Sequence, residues 1–110
     1  MTFWEAIEQK RSKVREHIRL ETAAALKAAM AEVLPGRPYV VFGSLIQAGR
    51  FNKRSDVDIA LFDEVPGMSE YRLRAALEER LHRPVDLVLL PESRLREKIL
   101  REGKLWTNSD

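Results

Sequence analysis

Two aspartates stand one residue apart at the head of an apolar run in this sequence. Asp56 and Asp58 open the stretch DVDIALF, residues 56–62. If the stretch is a β-strand, side chains alternate between its faces, so both carboxylates point to one face while Val57 and Ile59 point to the other. Neighbouring carboxylates repel one another, and a divalent cation such as Mg²⁺, which prefers oxygen ligands, relieves that repulsion. The pair therefore predicts a Mg²⁺ site.

A third acid lies in a similar setting further along the chain. Asp86 belongs to PVDLVLL, residues 84–90, where its near neighbours are apolar. If this run is a strand beside the first, the three acids meet at one place in the sheet. A structural interpretation is also open, in which Asp86 pairs with Arg83 and takes no part in metal binding.

A glycine-serine pair and a basic loop precede the aspartates. Gly43 lets the backbone approach a ligand closely, and Ser44, at the start of a short helix, offers a hydroxyl and nearby N–H groups to a phosphate. Arg50, Lys53 and Arg54 can neutralise phosphate charge, although each can equally be a solvated loop residue. Carboxylates, a metal, a phosphate-binding turn and a basic loop together indicate phosphoryl or nucleotidyl transfer.

The scaffold begins with a long helix, predicted over residues 1–34, because this segment lacks Gly and Pro. Arg11 interrupts its apolar stripe, so either the first two turns leave the body of the domain, or Arg11 snorkels or meets an acidic group. The stripe at helical spacing comprises Phe3, Trp4, Ile7, Val14, Ile18, Ala25, Ala29 and Val33.

The same helix is rich in basic side chains on its first half. A solvated face is the ordinary interpretation of such a run, and an acidic partner surface or RNA is the alternative. Phe3 and Trp4 are the best candidates for a partner contact, because aromatic residues anchor interfaces. The basic residues are Lys10, Arg11, Lys13, Arg15 and Arg19.

Glycine and proline divide the rest of the chain into shorter elements. LPGRP, residues 34–38, ends the first helix, and strands are predicted over 39–42, 56–62 and from 85. GSLIQAG predicts a tight turn and a short helix ended by Gly49. Ser69 caps a helix that runs to about His82.

PESRLREKILREG predicts a last helix, with Leu95, Ile99 and Leu100 facing inward and Gly103 as its C-terminal cap. The elements then alternate between helix and strand from the first helix to the last. This order predicts one α/β or α+β domain over residues 1–110, with a mixed sheet of three or four strands and helices packed against it.

Length and composition exclude several classes of protein. A chain of 110 residues has room for one core and little room for a separate substrate-binding module, so a partner must supply further substrate contacts. Its 19 basic and 17 acidic residues are too evenly balanced to predict nucleic-acid or membrane binding. The absence of cysteine excludes disulfides and thiolate zinc sites. Since the sequence has neither a signal peptide nor a long apolar run, we expect a soluble cytoplasmic protein.

The motifs resemble the signature of the DNA polymerase β-like nucleotidyltransferase superfamily. The resemblance rests on Gly43-Ser44, on Asp56-Val57-Asp58 followed by IALF, and on Asp86 within VDLVLL, and it covers residues 39–106. The short chain is similar to the minimal nucleotidyltransferases, the MNT antitoxins that pair with HEPN-domain toxins. The segment between Ser44 and Asp56 is one residue longer than in many members of the family.

The resemblance implies a metal-dependent transfer of AMP from ATP. Gly43 and Ser44 would hold the triphosphate, Asp56 and Asp58 would bind two Mg²⁺ ions, and Asp86 would complete the metal site near the acceptor hydroxyl. In the antitoxin branch the acceptor is a tyrosine of the partner toxin, whose RNase activity the modification silences. Such a protein would form a hetero-oligomer with its partner, or a homo-oligomer.

Two other functions remain open at this point. The fold can persist without catalysis, leaving a binding module that neutralises its partner by occlusion. A nucleotidyltransferase acting on a small-molecule hydroxyl, such as that of an aminoglycoside, is the third possibility, although the chain has no extra domain to form that pocket.

Overall fold

The computed structural model describes residues 1–107, so residues 108–110 of the predicted domain lie outside the described part. Within it three α-helices surround one four-stranded mixed sheet, which confirms the predicted α+β class. Short 3₁₀ turns at Gly43–Ile46 and Leu90–Glu92 follow the first and third strands. The helices and strands are α1 Phe3–Val33, β1 Tyr39–Phe42, β2 Val57–Leu61, α2 Glu70–Leu81, β3 Val85–Leu89, α3 Arg96–Glu102 and β4 Lys104–Trp106.

The long N-terminal helix is confirmed, but only its second half packs on the body of the protein. The Thr2 hydroxyl caps α1 by accepting from the Glu5 N–H. Phe3 and Trp4 are 72% and 73% exposed, so the first turns leave the body of the protein. This was one of the two explanations offered above for Arg11 in the apolar stripe. The side chains of α1 that are buried are Thr22, Leu26, Ala29 and Met30, whereas Ala25 of the predicted stripe is exposed.

The sheet has the strand order β3-β2-β1-β4. β1 pairs antiparallel with both β2 and β4, and β2 pairs parallel with β3 through the crossover helix α2. The Ser69 hydroxyl accepts from the Arg72 N–H and so caps the start of α2. His82 ends the helix in a left-handed conformation at φ 55°. Both ends of the helix are where the sequence predicted them. No helix within residues 1–107 is both long and apolar enough to cross a membrane.

Alternation along the strands divides the core between the two faces of the sheet. Val57 and Ile59 of β2 point to the face covered by α1 and α2, which holds the larger cluster of buried side chains. Ala60 of β2 and Val40 of β1 point to the opposite face, where Ile99 of α3 covers them. Asp58 therefore lies on the α3 face of the sheet.

The end of the chain differs from its prediction. α3 begins at Arg96 instead of following Pro91, and it turns only Ile99 inward, while Leu95 and Leu100 are exposed. The prediction of three inward residues was wrong because α3 has only seven residues and covers a narrow part of the sheet. β4, which was absent from the predicted order of elements, then pairs with β1.

Two glycines were predicted to end helices, and the structure confirms one of them. The 3₁₀ turn after β1 ends at Ile46, before Gly49. Gly103 is the C-cap of α3, as predicted, and its N–H donates to the Ile99 carbonyl. At φ −77° its backbone is not left-handed. A β-carbon on Gly103 would instead collide with Val40 Cγ1 and with the Ile99 carbonyl, so this glycine permits the close approach of α3 to β1.

Candidate active site

Gly43 and Asp58 lie in direct contact where β1 ends. Phe42, the last residue of β1, is the register partner of Asp58, and Gly43 then turns the chain away at φ +75°. A β-carbon on Gly43 would overlap Asp58 Oδ2. Glycine is therefore required here for two reasons, the left-handed backbone and the space that the carboxylate occupies.

The sheet brings Asp58 and Asp86 side by side. They are register partners in the parallel β2–β3 pair, so both point to the α3 face. Asp56 precedes β2 by one residue and is exposed, as is Asp86, whereas Asp58 is partly buried. Burial raises the pKa of Asp58 to about 6, and repulsion from Asp86 and then Asp56 adds to the increase. The charges of Asp86 and Asp56 thus both act on Asp58.

The chemistry of this donor set fits a divalent, oxygen-preferring cation such as Mg²⁺. Asp86 is the register partner of Asp58, and a cation bound beside Asp58 would remove the repulsion that Asp86 and Asp56 exert on it. In the described part of the chain no group of three or more His, Asp or Glu side chains is arranged as a ready metal cage. The fit therefore rests on the donors and their charge, with substrate or solvent oxygens needed to complete the coordination.

A cleft of about 250 Å³ opens beside Asp58, between the turn after β1 and helix α3. Gln47 Nε2 donates to the Gly43 carbonyl over 3.1 Å and so braces the turn that forms one wall. Lys98 brings a positive charge to the opposite wall. The cleft is lined by Gly43, Gln47, Asp58, Lys98, Ile99 and Glu102 together with neighbouring apolar side chains.

Lys98 and Glu102 were not among the predicted site residues. They lie at helical spacing with Ile99, the one buried residue of α3, so the face of the helix that packs on the sheet also borders the cleft. Helical periodicity would have placed them on a common face, but only the packing of α3 on β1 shows that this face reaches Asp58.

The predicted phosphate-binding residues are placed in two different regions. Ser44 follows Gly43 in the 3₁₀ turn and is partly exposed. Arg50, Lys53 and Arg54 are all exposed, and within residues 1–107 none of them lines the cleft beside Asp58. Lys53 instead lines a separate groove along α1. The structure therefore brings together the acids and the glycine turn, but not the basic loop.

Arg83 binds backbone carbonyls of the preceding loop and not Asp86, the partner considered from the sequence. Its Nη1 donates to the carbonyls of Asn52 and Ser55, over 3.2 and 2.9 Å, and its guanidinium lies 4.6 Å from the centre of the Phe51 ring. Burial lowers the pKa of Arg83, opposed by the charge of Asp56. No ion pair joins Arg83 to Asp86 in the described residues, so Arg83 holds the loop that leads into Asp56.

Arg19 fastens α1 to the glycine turn. Its Nη1 donates to the Leu45 carbonyl over 3.1 Å, while Nε and Nη2 bind the carboxylate of Glu16. The sequence placed Arg19 on a solvated basic face, because the position of a carbonyl 26 residues away is not visible in local periodicity.

Comparison with known proteins adds one match. A family model described as polymerase beta, nucleotidyltransferase, matches residues 37–110, which is well over half of the chain. The matched segment includes Gly43, Asp56, Asp58 and Asp86 and leaves α1 outside. A comparison with curated proteins gives no significant match.

Proposed function

Because the chain belongs to the polymerase beta nucleotidyltransferase family, we propose that it transfers AMP from Mg²⁺-bound ATP to a tyrosine hydroxyl of a HEPN-domain toxin and thereby acts as its antitoxin. The family supports activity of the nucleotidyltransferase type. The choice of ATP, of a protein acceptor and of an antitoxin role is the proposal.

One observation carries the proposal. Asp58 and Asp86 are aligned on one face of the sheet, and Asp58 lies directly against Gly43. Nucleotidyl transfer needs negative ligands for a cation and backbone donors for phosphate at the same place, because catalysis consists mainly of positioning and charge neutralisation. Burial raises the pKa of Asp58 to about 6, and the charges of Asp86 and Asp56 add to the increase, a perturbation that is common at functional sites.

In this mechanism Asp56 and Asp58 would hold Mg²⁺, which when bound would supply neutralisation of the phosphate charge. The Gly43 turn offers its backbone N–H groups and the Ser44 hydroxyl to the phosphates. The acceptor oxygen forms a bond to the α-phosphorus as the bond from that phosphorus to the β-phosphate oxygen breaks, and pyrophosphate leaves. The hydroxyl proton passes to the carboxylate of Asp86.

The position of Asp86 supports a protein acceptor. β3 is an edge strand of the sheet, and Asp86 is exposed on it. A tyrosine presented by a partner surface can approach this edge without entering a deep pocket. The cleft beside Asp58, about 250 Å³, is smaller than the usual range for ligand pockets, roughly 300–1,000 Å³.

The experiment is a transfer assay with ATP labelled at the α-phosphate, Mg²⁺, the full chain and a HEPN-domain partner. We expect the partner to be labelled, and labelling to disappear with Asp58→Asn, with Asp86→Asn, or when the acceptor tyrosine is replaced by phenylalanine. Asp63→Asn, in the turn after β2, is the matched control and should label normally. If the partner stays unlabelled and its toxicity is suppressed equally by wild type and by Asp58→Asn, the protein acts by occlusion instead. Labelling of an aminoglycoside alone would establish a small-molecule transferase.

A further inference from the structure

The first half of α1 carries a helix-packing surface that the described chain leaves mostly uncovered, and only its end at Ile18 packs against the core. Trp4, Ile7, Arg11, Val14 and Ile18 follow one another at spacings of three and four residues, and we name this set the α1 seam. Such spacing keeps side chains on the side of a helix that meets another helix. By steps of four residues the seam runs on into Thr22 and Leu26, which are buried against the body.

The seam stands away from the rest of the protein. The 31 residues of α1 correspond to about 46 Å, whereas the protein measures 55 by 28 by 25 Å. The rings of Phe3 and Trp4 pack edge to face with 5.5 Å between centroids, yet both remain more than two thirds exposed. A projecting helix of this length with exposed aromatic anchors is typical of an interface.

A groove with an apolar floor and a cationic rim adjoins the seam where α1 meets the body. Val14 and Ile18 form the floor, and the groove has a volume of about 410 Å³. We name it the basic groove. Its rim consists of Lys10, Arg11, Arg15 and Lys53.

The rim is only partly neutralised within the chain. Arg15 Nη2 donates to Glu8 Oε1 over 2.7 Å, but Arg15 Nε is buried with no hydrogen-bond partner among the described residues. Lys10, Arg11 and Lys53 make no ion pair within residues 1–107. The positive charge of the groove is therefore only partly compensated within the described chain, and it would attract a negatively charged partner.

We propose that the α1 seam and the basic groove bind an acidic amphipathic helix of a partner protein. Its apolar stripe packs between the seam residues, and its flanking Glu and Asp side chains meet the rim on either side. The inference does not rest on the proposed transfer reaction, because the seam and groove lie on α1 and the loop after Phe51, apart from the acids.

Two other occupants fit less well. A two-fold pair of α1 helices centred on Arg11 would set Lys10, Arg11 and Arg15 of one copy against those of the other, which is repulsive. A nucleic acid would satisfy the rim, but apolar residues at helix-packing spacing contribute nothing to phosphate contacts. Both occupants are outcomes of the test.

The test measures binding of two dye-labelled synthetic helices to the full chain by fluorescence anisotropy. Each has about four heptads with Leu at the two core positions, and the flanking positions are Glu in one and Lys in the other. We expect saturable binding of the Glu helix that weakens with salt, and binding of the Lys helix at least about tenfold weaker.

Variants then locate the binding surface. Lys10→Glu combined with Arg11→Glu should weaken the Glu helix about tenfold and strengthen the Lys helix, because it reverses the rim charge. Val14→Asp, at an exposed position that should not affect folding, should weaken both. Arg72→Glu, a single charge reversal on α2, should change neither. Asp58→Asn should bind the Glu helix like wild type, so failure of the transfer reaction is distinguishable from failure of this inference.

Several results would overturn the proposal. They are equal affinity for both helices, absence of binding, or an effect of Arg72→Glu as large as that of the rim reversal. A dimer of the chain that Val14→Asp dissociates in sedimentation equilibrium would show that the surface joins two copies. Binding of a single-stranded oligonucleotide that the rim reversal abolishes and Val14→Asp does not would show a nucleic-acid site.

Discussion

Asp58 Oδ2 lies where a β-carbon on Gly43 would be. Gly43 belongs to the turn proposed to bind phosphate, and Asp58 belongs to the strand proposed to bind metal. The contact means that the two parts of the site are built against each other, so a change in either displaces the other. Gly43 is also left-handed, with φ +75°, which disfavours any other residue.

Gly43→Ala should therefore damage the site more than the fold. We expect the new methyl group to displace the Asp58 carboxylate and to reduce transfer about 100-fold, because misplacement of a catalytic group by about 1 Å has effects of this size. The loss in the free energy of unfolding should be about 1–2 kcal/mol. Initial rates and thermal unfolding measure the two effects.

Gly67→Ala is the matched control for this change. Gly67 has φ +77° but nothing within 4 Å of the place where its β-carbon would lie. It should lose similar stability from backbone strain while keeping transfer activity. Equal loss of activity in the two variants would contradict the role of the Gly43–Asp58 contact.

The raised pKa of Asp58 predicts how stability depends on pH without metal. The folded protein binds this proton more tightly than the unfolded chain, since the pKa rises from 3.8 to about 6. The contribution of Asp58 to the free energy of unfolding should therefore fall as pH rises from about 4 to about 6, and then stay constant. Because the carboxylate is only partly buried, we expect an effect of about 1 kcal/mol.

Asp58→Asn removes that titration and should be about 1 kcal/mol more stable than wild type at pH 7 in EDTA. Thermal unfolding of both proteins at a series of pH values gives the difference, in which contributions of other carboxylates cancel. Adding Mg²⁺ should stabilise wild type more than the variant. Parallel pH curves for the two proteins would show that Asp58 does not carry the effect.

Arg83→Met should loosen the loop that leads into Asp56. The change removes hydrogen bonds to the Asn52 and Ser55 carbonyls and the contact with the Phe51 ring, so we expect a loss of about 1–3 kcal/mol in the free energy of unfolding. Amide hydrogen exchange should increase over residues 52–56. Arg72→Met, which removes an exposed arginine from α2, should change neither quantity, and unaltered exchange in Arg83→Met would refute the assignment.

Lys98→Met should weaken nucleotide binding and leave folding intact. Lys98 is exposed on α3 and lines the cleft that contains Asp58, so its charge can meet a phosphate of the bound nucleotide. We expect the KM for ATP to rise about tenfold, with little change in the unfolding temperature. Arg101→Met, on the same helix, is the control, and a similar KM for both variants would exclude Lys98 from the site.

The local part of the site was predictable because it depends on short-range rules. Alternation along β2 separates Asp58 from Val57 and Ile59, and this holds for any strand in any sheet. A glycine after an apolar run indicates a turn, and the helix caps at Ser69 and His82 follow similarly local preferences. The three strands and the two longer helices were therefore predictable, together with the meeting of the acids once β2 and β3 were taken as neighbours.

What the sequence could not determine depends on contacts between distant segments. The pairing of β4 with β1 is a property of the sheet edge, since the short segment KLW has no strong pattern of its own. The use of Arg83 to hold Asn52 and Ser55, and the position of Lys53 beside α1, both depend on how the loop folds back on the body. Side-chain periodicity contains no information on such contacts.

The sequence by itself thus determined the chemical groups of the candidate site, namely three carboxylates and a glycine turn, and most of the elements that bear them. The tertiary structure alone decided that Asp58 fills the space above Gly43, that Lys98 faces the same cleft, and that the first half of α1 stands free. The physical reason is that residue type and local backbone preference act over a few residues. Strand order and helix packing instead minimise exposed apolar surface over the whole chain.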